Sequence, residues 1–179
     1  MRHLLFPLLL PVLMLGQSDT PQGLQAGLEL DALPYATGGY FGAVWLGKGL
    51  WRARVLHASV HMPDWFVKEG FQNHRIKAYA LVADRFLKPD WRGIWLGGGL
   101  VYWKSDIQTD ALLEEAALNN LLLNGSLGYN IRLGRHFYLS PWGGMSLHIA
   151  GDKDIPVDNL RFTLPLLNPE ASLKLGVVF

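Results

Sequence analysis

Cysteine is absent from the 179-residue chain, which excludes disulfides, thiolate metal sites, cysteine nucleophiles and a lipidated N-terminal cysteine. Charge is scarce as well. Charged residues make up 17% and hydrophobic ones 50%, where soluble domains carry roughly 25% charged residues. A long apolar run is the third absence. Beyond the N-terminus nothing approaches the roughly 18 consecutive apolar residues of a membrane helix, so a helical membrane protein is excluded. Sixteen basic residues face fifteen acidic ones, and without a basic stripe there is no electrostatic case for nucleic acid.

What is present begins with MRHLLFPLLLPVLMLGQ, residues 1–17. Arg2 and His3 form a basic flank, Leu4 to Leu15 an apolar core, and Gly16, Gln17 and Ser18 a small polar exit. This is the pattern of a secretory signal peptide, and Pro7 and Pro11 inside it oppose a long stable helix. Its removal takes one arginine and no carboxylate, leaving 15 basic and 15 acidic residues in the segment 18–179. That segment is expected to form one domain. Twenty glycines and ten prolines suit many turns between strands.

Period-two alternation fills that domain. At the C-terminus Ala171, Leu173, Leu175, Val177 and Phe179 alternate with Ser172, Lys174, Gly176 and Val178. Similar segments are Leu24 to Asp31, Tyr40 to Gly47, Trp51 to Met62, His74 to Phe86, Ile94 to Lys104, Leu121 to Leu133 and His136 to Ile149. In the fourth, Ile76, Ala78, Ala80 and Val82 form the apolar face and Arg75, Lys77 and Arg85 the polar one. In the third, Arg52 and Arg54 share the register of Leu56, Ala58 and Val60, so a β-bulge is expected near Val55 and Leu56.

About eight strands follow, of 8–14 residues each, near the length a tilted strand needs to cross a bilayer. Short turns at Lys48–Leu50, Leu87–Gly93 and Gly134–Arg135 alternate with four other connections, of which Pro63–Asn73, Asp106–Asn119 and Ala150–Leu167 are longer and only the first, near Thr37–Gly39, is short. That asymmetry belongs to outer-membrane barrels, with short turns on the periplasmic rim. A sheet in hydrocarbon must close on itself to pair its backbone groups, so the expected fold is all-β, an antiparallel up-and-down transmembrane β-barrel with its apolar face towards lipid. Tryptophans and tyrosines such as Trp51, Trp95, Tyr40 and Tyr138 near strand ends fit interfacial girdles.

The signal peptide, the strands and loops, and the terminal phenylalanine together resemble small outer-membrane β-barrels of Gram-negative bacteria, of the OmpA/OmpX-like type. The resemblance covers the whole segment 18–179 and implies residence in the outer membrane, with outer-membrane lipid and lipopolysaccharide as surroundings. It also implies recognition by the barrel-assembly machinery through Leu173, Leu175, Val177 and Phe179. The long loops offer a surface for an extracellular partner.

On the polar faces, Glu29, Asp31, Arg75, Arg132 and Lys174 are expected to form an interior charge network, with Glu29 or Asp31 meeting Lys174 where the first and last strands close. Buried charges need partners, and eight strands leave an interior filled mostly by side chains. A salt-bridged plug and a narrow polar path both fit. The resemblance also brings an enzymatic alternative, since some small outer-membrane barrels are lipid A deacylases or acyltransferases. Ser59, His61 and Asp64 are the nearest to a triad, but alternate residues on a strand lie roughly 6–7 Å apart, so a triad must be built across strands. No catalytic residue is assigned. His57 and His61 make no metal site without a third ligand, and no cofactor is expected. Asp110 to Leu123 reads either as a loop running into strand six or as a short helix capping the barrel. The expected role is structural or surface-interactive.

Overall fold

The computed structural model describes residues 23–179; the expected signal peptide, 1–17, lies outside them. Eight strands close into an antiparallel barrel. In chain order they are β1 (Gln25–Asp31), β2 (Tyr40–Lys48), β3 (Trp51–His61), β4 (Phe71–Phe86), β5 (Gly93–Thr109), β6 (Glu115–Leu133), β7 (Phe137–Gly151) and, after a hairpin of β8 (Asp154–Val157) and β9 (Leu160–Thr163), β10 (Leu167–Val178). β10 closes the ring on β1, with Leu28 opposite Val177 and Asp31 opposite Lys174.

The register fixes the size of the barrel. A cross-strand row runs from Leu28 through Val44, Val55, Leu81, Leu100, Leu123 and Leu147 to Leu167. Leu28 pairs back onto Val177, ten residues along β10 from Leu167. A shear of that size over eight strands tilts them by about 40°. All eight residues in the row are apolar and point outwards.

Alternation determines the two faces. Odd residues of β1 and β5 and even residues of β6, β7 and β10 point inwards, as the alternating hydrophobicity implies, and in β2 the odd residues Phe41, Ala43, Trp45 and Gly47 do so. β4 is the reverse of the sequence expectation. His74, Ile76, Ala78, Ala80, Val82, Asp84 and Phe86 are buried inside, while Arg75, Lys77 and Arg85 are exposed on the outer wall. Small apolar side chains fit a narrow interior, and the basic ones flank the apolar outer band. The expected bulge in β3 is also absent, since Trp51 to His61 pair without a register shift on either side. Leu56, Ala58 and Val60 continue the inward face of Arg52 and Arg54. Register shifts fall instead at Gln72/Arg75 and Leu121/Leu122.

Short turns join β2 to β3, β4 to β5 and β6 to β7 on the rim that also carries Gln25 and Phe179. At the other rim, a one-turn helix, α1 (Ala32–Ala36), follows β1 and is capped by Asp31, whose side chain accepts from the Leu33 amide. A 3₁₀ turn at Asp64–Phe66 precedes β4. β5 and β6 extend far enough that only Asp110 to Glu114 connects them. The segment after Asp110 is thus a turn running into strand, with no helix.

Candidate functional site

The charged and aromatic side chains of the inward faces meet in the half of the barrel nearer the short turns. Two arginines two residues apart on β3 must point the same way, and burial obliges each to find a carboxylate. Arg52 donates from Nε to Asp84 (2.8 Å) and from Nη1 to Glu29 (3.1 Å) and the Tyr138 hydroxyl (2.9 Å). Arg54 donates from Nη1 to the other oxygen of Glu29 (2.7 Å) and from Nη2 to Asp84 (2.8 Å). The Tyr138 hydroxyl in turn donates to Glu29 (2.7 Å).

Lys174 joins this network from β10, with Nζ 3.9 Å from Glu29 and the same distance above the Trp142 ring centroid. Asp31 accepts from Trp142 Nε1 (2.7 Å) and from the Ser172 hydroxyl. Three buried cations, Arg52, Arg54 and Lys174, therefore face three buried carboxylates, Glu29, Asp31 and Asp84. The pairs cross the lumen and tie β1 and β3 to β4, β7 and β10.

Of the residues expected in this network, Glu29, Asp31 and Lys174 lie in it. Arg75 does not: it stands on the outer wall opposite Asp106 of β5. Arg132 is half-buried on the inward face near the short-turn rim and makes no ion pair among the described residues. Alternation alone does not place Asp84 inside, because it turns the Ile76, Ala78, Ala80 and Val82 face of β4 towards lipid. Charge balance was the available signal, because Arg52 and Arg54 on one inward face call for more than the single carboxylate of Glu29.

Both ends of the lumen are closed by side chains. Towards the short turns, Trp45, Phe86, Trp91, Trp95 and Tyr138 pack with Val178 below Arg52. Trp91 belongs to the β4–β5 turn and folds back to stack on Phe86, ring centroids 5.3 Å apart. Glycines on the wall make room for these rings; a Cβ at Gly176 would stand 2.0 Å from the Tyr138 ring, and one at Gly128 2.3 Å from Trp95. Across the middle, Phe41, Ala43, Ala58, Ala78, Ala80, Val82, Val101 and Leu122 form an apolar layer. At the long-loop rim the β8–β9 hairpin lays Val157 and Phe162, with Leu164 after it, onto Phe71, Ile107 and Leu118 of the wall. The hairpin is fastened on its exposed side by Arg161 to Asp154 at 2.8 Å, a hydrogen bond that holds the Asp154 carboxyl below its ordinary range.

The candidate triad residues lie on and above the outer wall. Ser59 faces Tyr40 on one neighbouring strand and Lys77 on the other, and no hydrogen bond joins it to His61 or Asp64 among the described residues. His57 is tied by the Tyr40 hydroxyl (2.8 Å) and the Ala78 carbonyl (3.0 Å) and stacks on Tyr79. No group of three metal-binding side chains occurs among the described residues.

No family model matches the sequence, and no curated protein matches it. Among solved structures, the N-terminal β-barrel domain of Pseudomonas aeruginosa OprF is similar with a TM-score of 0.57 and 13% identity, over 89% of this chain and 98% of that one. Neisserial surface protein A, NspA, is similar with a TM-score of 0.52 and 10% identity, over 87% of this chain and 96% of its own. The likeness is one of fold. This chain has the eight-stranded fold of small outer-membrane β-barrels.

Proposed function

We propose that the chain is an integral barrel of the bacterial outer membrane, with a structural or surface-interaction role rather than a conducting one. The observation that carries this reading is the occlusion of the lumen at three levels: the hairpin cap, the apolar layer, and the ion network above its aromatic floor. An apolar wall outside and paired charges inside suit hydrocarbon, where a closed ladder pairs its strands' backbone groups within the protein. In this reading the short-turn rim faces the periplasm and the long loops, with α1 and the hairpin, face outwards.

The buried ion pairs serve shape before stability. Apolar replacements of similar volume are often neutral or stabilising, whereas removing one partner strands the other. The network thus fixes which strands meet across the lumen. The test of residence is cell fractionation with gel electrophoresis. The chain should enter the outer-membrane fraction and migrate differently before and after boiling; a water-soluble monomer without detergent would overturn the proposal. Mass spectrometry of lipid A from cells with and without the protein addresses deacylation or acyl transfer, and unchanged lipid A is the expected outcome.

A further inference from the structure

The outer wall carries a polar row that the filled lumen does not explain. Register places Tyr40, Ser59, Lys77, Lys104 and Asn119 side by side on β2 to β6, all on the outward face. Lys77 and Lys104 are direct cross-strand neighbours, and both are exposed. Like charges so placed repel, and neither makes an ion pair among the described residues. The carboxylate nearest in register, Asp106, faces Arg75 across the same two strands.

Height makes the pair more telling. Lys77 is nine residues up β4 from Phe86, and Lys104 eleven residues up β5 from Gly93. At roughly 3.3 Å per residue and a tilt of about 40°, they lie roughly 23 Å and 28 Å above the short-turn rim, at the upper edge of an apolar band about 25 Å tall. Directly below is the Tyr79–Tyr102 pair, and beside it a groove of about 630 Å³ in the outer wall. Its floor is Gly42, where an added Cβ would meet nothing within 4 Å. Leu30, Val44, Val55 and Leu100 flank it.

We infer that this face is a docking site for one lipid A molecule of the outer leaflet, with a phosphate between Lys77 and Lys104 and an acyl chain lying in the Gly42 groove. The inference rests on the barrel spanning the outer membrane, where lipid is what covers this wall. Charge complementarity selects the occupant: an anionic headgroup relieves the repulsion of the two lysines, and the groove below is lined by apolar and aromatic side chains. The Tyr102 hydroxyl, donating to Asn119 at 3.0 Å, and Tyr40, bonded to His57, hold the flanks of the row in place.

The test is native mass spectrometry of the full detergent-purified barrel titrated with lipid A and, separately, with lipid A stripped of its phosphates. The wild-type protein should retain the phosphorylated lipid in preference to the stripped one. The double variant Lys77→Gln, Lys104→Gln should bind the phosphorylated form about ten- to thirty-fold more weakly, two interfacial lysines being lost, and should show no phosphate preference. Gly42→Phe puts a ring into the groove from a Cβ that meets nothing within 4 Å; it should weaken both forms and leave the preference intact. Lys48→Gln, at the opposite rim, should match the wild type. Equal binding by the double variant and the wild type, or no phosphate preference in the wild type, would overturn the docking site. The heat-dependent gel shift separates the two claims: if the wild-type chain never enters lipid, the membrane reading falls with it, and if it enters lipid but ignores phosphate, only the docking site falls.

Discussion

Asp84 and Arg75, nine residues apart on β4, show how much one residue's parity decides. Asp84 is fully buried and accepts from both β3 arginines, while Arg75 stands outside without an ion pair among the described residues. Asp84→Asn leaves two buried guanidiniums sharing Glu29, and should destabilise the folded barrel by about 3–5 kcal/mol. Arg75→Gln should change stability by no more than about 0.5 kcal/mol. Urea unfolding of both variants in lipid vesicles measures the contrast, and the reverse order would put β4 in the opposite phase. Glu29, Asp31 and Lys174 were legible from alternation and strand closure alone. Asp84 is not, because alternation alone puts the apolar residues of β4 on the lipid face.

That assumption marks the limit of alternation at the scale of the element. It phases β1, β5, β6, β7 and β10 correctly because glycine, serine, asparagine or charge recurs on their inward faces, beside apolar residues such as Trp95, Val101 and Leu122, while leucine and isoleucine crowd the outer ones. It inverts β4 and places a bulge in β3 because the middle of this lumen is lined by alanine and valine. In a barrel only eight strands round, an inward residue is selected by size as well as polarity, and Ala78 and Ala80 meet that demand without being polar. The β8–β9 hairpin was hidden for another reason: four-residue strands inside a long loop give too few alternations to detect. Its hold on the rim depends on Phe162, buried edge-on against Phe71 at 5.4 Å. Phe162→Ala should lower the cost of lifting the hairpin by about 3 kcal/mol, raising its open population on the order of a hundredfold. Protease cleavage within residues 152–166 should quicken accordingly while the gel shift of the barrel persists. Unchanged cleavage would mean that the hairpin is not held by that contact.

For the whole molecule, closure and occlusion belong together. β10 completes the ring against β1, and the Phe179 amide donates to Ala26 at 2.9 Å while its side chain stays exposed at the short-turn rim. We propose that Leu173, Leu175, Val177 and Phe179, all on the outer face, are what the assembly machinery engages. Removing Phe179 should then lower the fraction of chains reaching the heat-shifted form in cells more than it lowers the unfolding free energy of barrels already folded, by about 1 kcal/mol or less. Equal assembly of the truncated chain would count against that role. The central claim, a barrel filled from rim to rim, is tested most directly by electrical recording across a planar lipid bilayer, on protein whose insertion is verified by its heat-dependent gel shift. The expected result is no stable conductance step from the wild-type chain; reproducible, long-lived openings would contradict it.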